Sequence, residues 1–220
     1  MFFLSRFNAS RDENTLLARH TGSHLPYADE NKYIKTGEET IRRFSFPRKA
    51  DPENAMVEQV LEKLCTLFDE GKARYRVMHH PAGERSSASV AELRGTELGQ
   101  GAKALVCMVK GNGVKQYVLA VLPADCQADL VKIAHAFGGT RCGLCSASEV
   151  MDLTGCIFGA VPPVSFHEKL LNIADPTLFT RYEKLAFNAG SRDTSIIINT
   201  EDFHRIVHPK EIDFLKSAEN

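Results

Sequence analysis

One lysine stands alone in an apolar run near the middle of the chain. Residues 102–109 read Ala-Lys-Ala-Leu-Val-Cys-Met-Val, so Lys103 is the single charged residue in what the pattern predicts to be a buried strand. A cation there loses hydration and needs a partner or a ligand. Gly95, Gly99 and Gly101 precede it, and glycines let a ligand come close to the backbone. The pattern favours a site for an anionic group, although an ion-paired lysine at a strand end would look the same.

Two further stretches carry residues that could form a binding site. Residues 155–163 read Gly-Cys-Ile-Phe-Gly-Ala-Val-Pro-Pro and contain Gly-x-x-x-Pro between Gly159 and Pro163. Residues 186–190 read Ala-Phe-Asn-Ala-Gly. Taken alone, the first of these stretches is equally typical of a plain turn that ends a strand.

Together, and in this order, the three stretches resemble the YbaK/prolyl-tRNA synthetase-associated domain family. Its members are aminoacyl-tRNA deacylases, either free-standing or inserted as editing domains in prolyl-tRNA synthetases. The resemblance covers about residues 55–215 and is closest to the free-standing bacterial-type branch, which carries the Gly-Thr-Glu-Leu-Gly-Gln-Gly-Ala-Lys run of residues 95–103. It implies an α+β fold, a single mixed and largely antiparallel sheet with surrounding helices.

The resemblance also implies roles for the first two stretches. Lys103 would hold the phosphate and the 3′-terminal adenosine of a tRNA. The backbone of the following loop would cradle the ester carbonyl and would serve as the catalytic element with Lys103: Gly159, Ala160, Val161, Pro162 and Pro163. An aminoacyl ester is already activated, so positioned water and an oxyanion donor suffice, and one such donor contributes roughly 10²–10³ in rate. We therefore expect no protein nucleophile.

Other residues are candidates for contacts with the substrate, each with a structural alternative. His80 follows a predicted strand and is a candidate base or substrate contact, or an ordinary loop histidine. Thr96 offers a pocket hydroxyl or the cap of a turn. Asn188, Gly190 and Ser195 are expected on the pocket wall that selects the amino acid, although Asn188 and Ser195 could equally cap turns.

Cys142 and Cys145 form a C-x-x-C pair, which is typical of redox sites and of half a zinc site. A zinc site needs a second pair at comparable spacing, and the sequence has none. The pair also follows a predicted helix stop rather than lying between a strand and a long helix. We predict no metal and no cofactor, and a thiol oxidoreductase remains the third interpretation.

Charge and composition limit the classes of protein further. The net charge of −1 argues against a protein that coats nucleic acid non-specifically. Between Lys72 and Lys115, however, eight basic residues face three acidic ones, a local charge of about +5. No run of 18 apolar residues occurs, and the cysteines are typical of a reducing compartment. We expect a cytoplasmic protein, with organelle import as the alternative because of the start Met-Phe-Phe-Leu-Ser-Arg.

The pattern of the chain divides it into an extension, residues 1–52, that is loosely structured or packs as an arm, and a domain, residues 53–220. In the domain we predict a hairpin around Gly111-Asn112-Gly113 and an amphipathic helix from Asp125 to Phe137. The other predicted features are a helix from Pro52 to the stop at Gly71, capping boxes at Ser89/Glu92 and Ser146/Glu149, and a short strand at Cys156–Gly159.

These expectations combine into an aminoacyl-tRNA deacylase that hydrolyses the ester of a tRNA mischarged with a small amino acid. Serine or threonine is the first choice, with alanine or cysteine as alternatives. The runner-up is a non-catalytic or cis-acting editing and binding domain associated with a prolyl-tRNA synthetase, with the N-terminal extension as its docking arm.

Overall fold

The computed structural model describes residues 52–82 and 86–217, with side chains from Ala55 onward. The predicted extension therefore lies, but for its last residue, outside the described residues. In chain order the described elements are α1 Pro52–Glu70, β1 Tyr75–His79, α2 Ser87–Arg94, β2 Ala102–Gly111, β3 Val114–Pro123, α3 Leu130–Ala136, β4 Arg141–Leu144, α4 Ala147–Thr154, β5 Leu170–Ala174, β6 Lys184–Asn188, β7 Thr194–Asn199, α5 Thr200–Val207 and β8 Lys210–Glu211.

The strands form two sheets rather than the single sheet that we predicted. One has the order β1-β7-β6 and is antiparallel throughout, and the other has the order β4-β2-β3-β5-β8 with parallel β3–β5 and β5–β8 pairs. A parallel bridge between Gly101, just before β2, and Ala186, in the edge strand β6, links the two sheets. The α+β class and the largely antiparallel pairing are confirmed.

The β2–β3 hairpin forms where the sequence predicts it. Asn112 and Gly113 both have positive φ, 53° and 79°, which is the geometry that lets a two-residue turn follow the twist of the strands. The register places Lys103 opposite Leu122, near the end of the hairpin that is far from the turn. Lys103 is thus held on the central strand pair of the larger sheet.

Aromatic side chains connect α1 to the smaller sheet. Phe68, Phe187 and Phe203 are fully buried, and their ring centroids lie 6.0–6.5 Å apart in tilted pairs. Such pairs add to the stability from burial alone, roughly 0.5–1.5 kcal/mol each. This cluster anchors β6, which carries Asn188 at its end.

Several local predictions are wrong, each for a simple reason. The helix predicted from Asp125 begins only at Leu130, because the Asp129 side chain accepts from the backbone N–H groups of Val131 and Lys132 and caps it there. Cys156–Gly159 is a turn rather than a strand. Ser86, not the Ser89/Glu92 pair, caps α2, whereas the Ser146/Glu149 capping box is confirmed.

In the described part of the chain, no helix is long and apolar enough to cross a bilayer.

Candidate functional site

A cavity of about 260 Å³ lies where α2, β2, the end of β6 and the loop after α4 meet. Its walls are mostly apolar, with Val90, Val106, Val150 and Phe187 among the lining residues. Two charged side chains, Lys103 and Arg94, also line it, together with the polar side chains of Asn188, Ser86 and Ser87. A small apolar pocket with a few convergent polar groups is the common form of a ligand site.

Lys103 lies half-buried in the wall that β2 forms. Its Nζ donates to the carbonyl of Cys126 at 2.7 Å and more weakly to that of Ala124 at 3.5 Å. Burial lowers the pKa of the ammonium, and the nearby Cys126 and Asp125 partly oppose that shift. Neutral carbonyls satisfy donors without cancelling the charge, so Lys103 remains a net cation at the cavity wall.

An ion pair fixes the segment that supplies these carbonyls. Arg181 forms a two-pronged pair with Asp125, with Nη1–Oδ1 and Nη2–Oδ2 distances of 2.8 and 2.5 Å. The guanidinium lowers the pKa of the Asp125 carboxyl, chiefly through these hydrogen bonds. The fork geometry defines one arrangement of the segment and hence one position for the Lys103 ammonium.

Close packing within the protein requires two of the glycines before Lys103, and backbone conformation favours the third. Gly95 ends α2 with φ +64°, a conformation that glycine adopts without strain. A Cβ on Gly99 would lie 2.8 Å from both Arg181 and Asp125, and one on Gly101 would lie 2.8 Å from Ala124. Only Gly101 of the three lines the cavity.

The Gly159–Pro163 loop is closed by backbone hydrogen bonds. Ala160 N–H donates to the Ile157 carbonyl at 2.9 Å, and Gly190 N–H donates to the Ala160 carbonyl at 3.0 Å. Ile157 N–H donates to the Gly190 carbonyl at 3.3 Å. Gly159 has φ +84° and Gly190 φ +92°, so both glycines occupy the region that other residues reach only with strain.

Two side chains hold the exposed face of this loop. Arg192 Nη2 donates to the Phe158 carbonyl at 3.0 Å, and Asn188 Nδ2 donates to the Gly159 carbonyl at 3.3 Å. Of the five predicted loop residues, Gly159 and Val161 line the cavity. The other three, Ala160, Pro162 and Pro163, are buried behind it.

Arg94 is a functional candidate that the sequence analysis missed. It is 7% exposed, yet its partners are neutral: Nε donates to Ser195 Oγ at 2.9 Å and Nη2 to Asn188 Oδ1 at 2.6 Å. Burial lowers its pKa to about 10, so the guanidinium stays charged at neutral pH. A basic residue in the last turn of a helix is ordinary in sequence, and only the distant strands β6 and β7 bury this one.

The remaining candidates surround the cavity without all reaching it. His80 Nε2 lies 2.7 Å from Ser195 Oγ, and its Nδ1 lies 3.0 Å from the Pro81 carbonyl. The Pro81 carbonyl accepts from a proton on Nδ1; in a singly protonated ring Nε2 then accepts from the Ser195 hydroxyl, which in turn accepts from Arg94. Neither His80 nor Ser195 lines the cavity. Thr96 donates to the Ala91 carbonyl at 3.4 Å and also lies off the cavity, in the capping role that we had left open.

The C-x-x-C pair is divided between two environments. Cys142 lies in β4, a strand that we did not predict, whereas Cys145 is buried and lines the cavity. Burial raises the pKa of the Cys145 thiol to about 11, which keeps it protonated and weakly nucleophilic at neutral pH. All six cysteines lie in the described part of the chain, and no two of them form a disulfide. Within that part, no group of three or more His, Cys, Asp or Glu could hold a metal ion.

Comparison with known proteins assigns this arrangement to a class. The aminoacyl-tRNA editing domain family matches residues 80–206, which include α2, β2, the Gly159–Pro163 loop and strands β6 and β7. The chain belongs to this family, and the resemblance stated from the sequence is confirmed.

Within the class, the chain is similar to a curated bacterial protein. It is 53% identical over 157 residues to the multifunctional Ser/Thr-tRNA deacylase ProXp-y of Escherichia coli K12, covering 71% of this chain and 93% of that protein.

Solved structures confirm the fold. A putative trans-editing enzyme for prolyl-tRNA synthetase superposes with a TM-score of 0.61 at 24% identity, covering 76% of this chain and 99% of that one. The hypothetical protein APE2540 superposes with a TM-score of 0.62 at 20% identity, covering 70% and 99%.

Proposed function

We propose that this protein hydrolyses the ester that links a small amino acid, serine or threonine first, to the acceptor end of a tRNA. The observation that carries the proposal is the cavity that brings Lys103 and the Gly159–Val161 backbone to one small space. The similarity to a Ser/Thr-tRNA deacylase supports the choice of amino acid.

The loop narrows the choice of oxyanion donors. Pro162 and Pro163 have no N–H, and the Ala160 N–H already donates to Ile157. In the described structure, the N–H groups of Gly159 and Val161 have no acceptor, and both residues line the cavity. We assign these two N–H groups to the ester carbonyl and to the oxyanion that forms when water attacks it.

The mouth of the cavity suits the nucleotide end of the substrate. Phe158 and Leu144 line it and are 52% and 58% exposed, which is unusual for large apolar side chains. An exposed aromatic ring can stack a nucleobase, with roughly 1–3 kcal/mol per base. The Lys103 charge beside this mouth would meet a phosphate of the acceptor end.

Water is the attacking group in this proposal. It adds to the ester carbonyl, the bond to the terminal ribose oxygen breaks, and that oxygen leaves with a proton as the free hydroxyl of the tRNA. Neither Cys145 nor His80 is well suited to act as a nucleophile or base. Cys145 lines the cavity but has the raised thiol pKa given above, and His80 Nε2 already makes a hydrogen bond with Ser195. Catalysis then rests on positioning and backbone donors, as we expected from the sequence.

A second, hydrolytic site of this kind is needed because the selectivity of a synthetase pocket is limited. A synthetase pocket separates amino acids that differ by one methylene or a hydroxyl by only about 1–3 kcal/mol. We place the protein in the cytoplasm, where its cysteines, none of them in a disulfide, would stay reduced.

Substitution of Lys103 tests the proposal. Lys103→Ala should lower kcat/KM for Ser-tRNA by about a hundredfold or more, because a preorganised charge at the reacting end is lost. Lys110→Ala is the matched control, since Lys110 lies on the same strand but is exposed and outside the cavity. Single-turnover deacylation of the purified chain measures both, with circular dichroism to check the fold.

Two results would contradict the proposal. If Lys103→Ala deacylated Ser-tRNA at the wild-type rate, the assignment of Lys103 to the active site would be wrong. Activity that appears only when prolyl-tRNA synthetase is added would favour the runner-up, a domain that works through a synthetase.

A further inference from the structure

Arg94 combines deep burial with an uncompensated charge. It forms no ion pair with any described residue, and both of its hydrogen-bond acceptors, Ser195 Oγ and Asn188 Oδ1, are neutral. Burying a cation without an opposite charge costs free energy, so we expect Arg94 to have a function that offsets this cost.

The guanidinium has donors left over. Of its five N–H groups, the described structure engages two, through Nε and Nη2. No nitrogen of Arg94 is both sealed from solvent and without a partner, and Arg94 lines the cavity. The remaining donors therefore face the cavity, where a ligand or water can accept from them.

The other residues that line the cavity near Arg94 offer few hydrogen-bond partners to a hydroxyl group of a ligand. Val90, Ala91 and Phe187 line the same region, and they offer no side-chain hydrogen bond. Asn188 also lines it, but its oxygen accepts from Arg94 and its nitrogen donates to the Gly159 carbonyl. Ser86 and Ser87 also line the cavity, but they lie at exposed positions at the N-terminal end of α2, so Arg94 is the buried group with free donors on this wall.

We infer that Arg94 reads the side-chain hydroxyl of the amino acid esterified to the tRNA, accepting serine and threonine and disfavouring analogues that lack the hydroxyl. This inference rests on the proposed function. An analogue without the hydroxyl would displace water from the guanidinium and leave its donors unpaired, which a site built for a hydroxyl rejects strongly.

Matched pairs of substrates test this role. One tRNA is acylated with serine or alanine, and with threonine or 2-aminobutyrate, so that each pair differs only in the hydroxyl. We expect Arg94→Met to lower kcat/KM for the hydroxyl substrates by about ten- to hundredfold and to lower the Ser/Ala and Thr/2-aminobutyrate ratios by at least about tenfold.

Two further variants keep the test independent of folding and of loop support. Arg94→Lys retains the charge in a similar volume but loses the fork, and it should also lower both ratios. Asn188→Ala removes the link to the Gly159 loop and one acceptor of Arg94 but keeps the guanidinium itself, so it should slow all four substrates and lower both ratios less than Arg94→Met does. Arg76→Met, at an exposed position of β1, is the matched arginine control and should change nothing.

The outcomes separate the inference from the proposed function. If Arg94→Met and Arg94→Lys slow all four substrates equally, the residue supports the loop or the oxyanion and the inference is wrong. A wild-type enzyme that shows no preference within either pair also overturns it. Failure of the wild type to deacylate any of these tRNAs would instead refute the proposed function itself.

Discussion

Two walls of the same cavity each carry a cation that forms no ion pair with a described residue, and they are built in different ways. On the β2 wall, Lys103 is half-buried and donates to backbone carbonyls that an ion pair holds in place. On the wall of α2 and β6, Arg94 is almost fully buried and donates to side chains. The Lys103 ammonium thus makes its hydrogen bonds to the backbone of a neighbouring loop, whereas the Arg94 guanidinium makes them to side chains.

This difference teaches how the two cations would divide the work. An ammonium near the mouth suits a phosphate, because it acts as a point charge and makes no demand on the orientation of the phosphate oxygens. A guanidinium fixed by two neutral acceptors presents its remaining donors in one direction, which suits recognition of a small polar group. The Gly159 loop lies between them and is tied to the Arg94 wall through Asn188.

Among the residues that support the two cations, the largest effect on activity should come from the Gly159 loop. Gly159 has φ +84°, and alanine there should cost about 1–2 kcal/mol or displace the loop. We expect Gly159→Ala to lower kcat more than about tenfold for serine and alanine substrates alike, since both need the same oxyanion donors. Rapid-quench single-turnover rates measure this effect.

Gly143→Ala is the control for the loop variant, because Gly143 lies outside the left-handed region and a Cβ there meets nothing within 4 Å. Full activity in Gly159→Ala would show that the shape of the loop does not depend on this glycine.

A smaller effect should follow when the support of the Lys103 wall is removed. Asp125→Ala breaks the pair with Arg181 and loosens the segment that carries the Ala124 and Cys126 carbonyls. We expect kcat/KM to fall about fivefold for every amino acid, with the Ser/Ala ratio unchanged, because only the position of the ammonium changes.

Asp213→Ala, which breaks an exposed pair with Lys132, is the control for this variant and should have no effect on activity. A changed Ser/Ala ratio in Asp125→Ala would show that the two walls do not act separately.

The smallest effect on activity is expected from a carboxylate far from both walls. Asp202 accepts from the backbone and side chain of Arg74 and from Arg205, and these contacts lower its pKa to about 2, the Arg74 side chain most. Because the folded pKa is below the ordinary value near 4, this stabilisation is present above about pH 4 and is lost as the pH falls toward 2.

Asp202→Asn should therefore lower the free energy of unfolding at pH 7 by about 1–2 kcal/mol and by less at pH 3, with deacylation by the folded protein unchanged. Urea denaturation at the two pH values checks this. Glu201→Gln, whose carboxylate is 3.7 Å from Arg74 and exposed, should leave stability as it is. Reduced activity in folded Asp202→Asn would mean that α5 influences the cavity.

The sequence allowed one of the two cations to be found and not the other. Lys103 interrupts an apolar strand, so local pattern alone makes it unusual. Arg94 is the last residue of α2, a position that the sequence alone suggests is exposed. Its burial depends on Asn188 and Ser195, about a hundred positions away. Local pattern carries no information on such distant packing, so the wall that we expect to select the amino acid was only partly predictable.

The same limit explains the errors in the fold. The hairpin and α1 follow from turn residues and apolar spacing, which are local signals. The strand β4 has only four residues and forms because it pairs with the edge of β2, and the division into two sheets depends on how β6 and β7 pair with β1. These arrangements are decided by partners, not by the segments themselves.

The Asn188 amide joins two tasks that would otherwise evolve separately. Its oxygen accepts from Arg94 and its nitrogen donates to the Gly159 carbonyl, so its orientation is set by both. A descendant that exchanged Arg94 to accept a different amino acid would also free this amide to turn and would loosen the hydrolytic loop. We expect changes of substrate preference in this lineage to require a compensating change at position 188. Because a new narrow preference then needs two changes together, a broad substrate range is easier to keep.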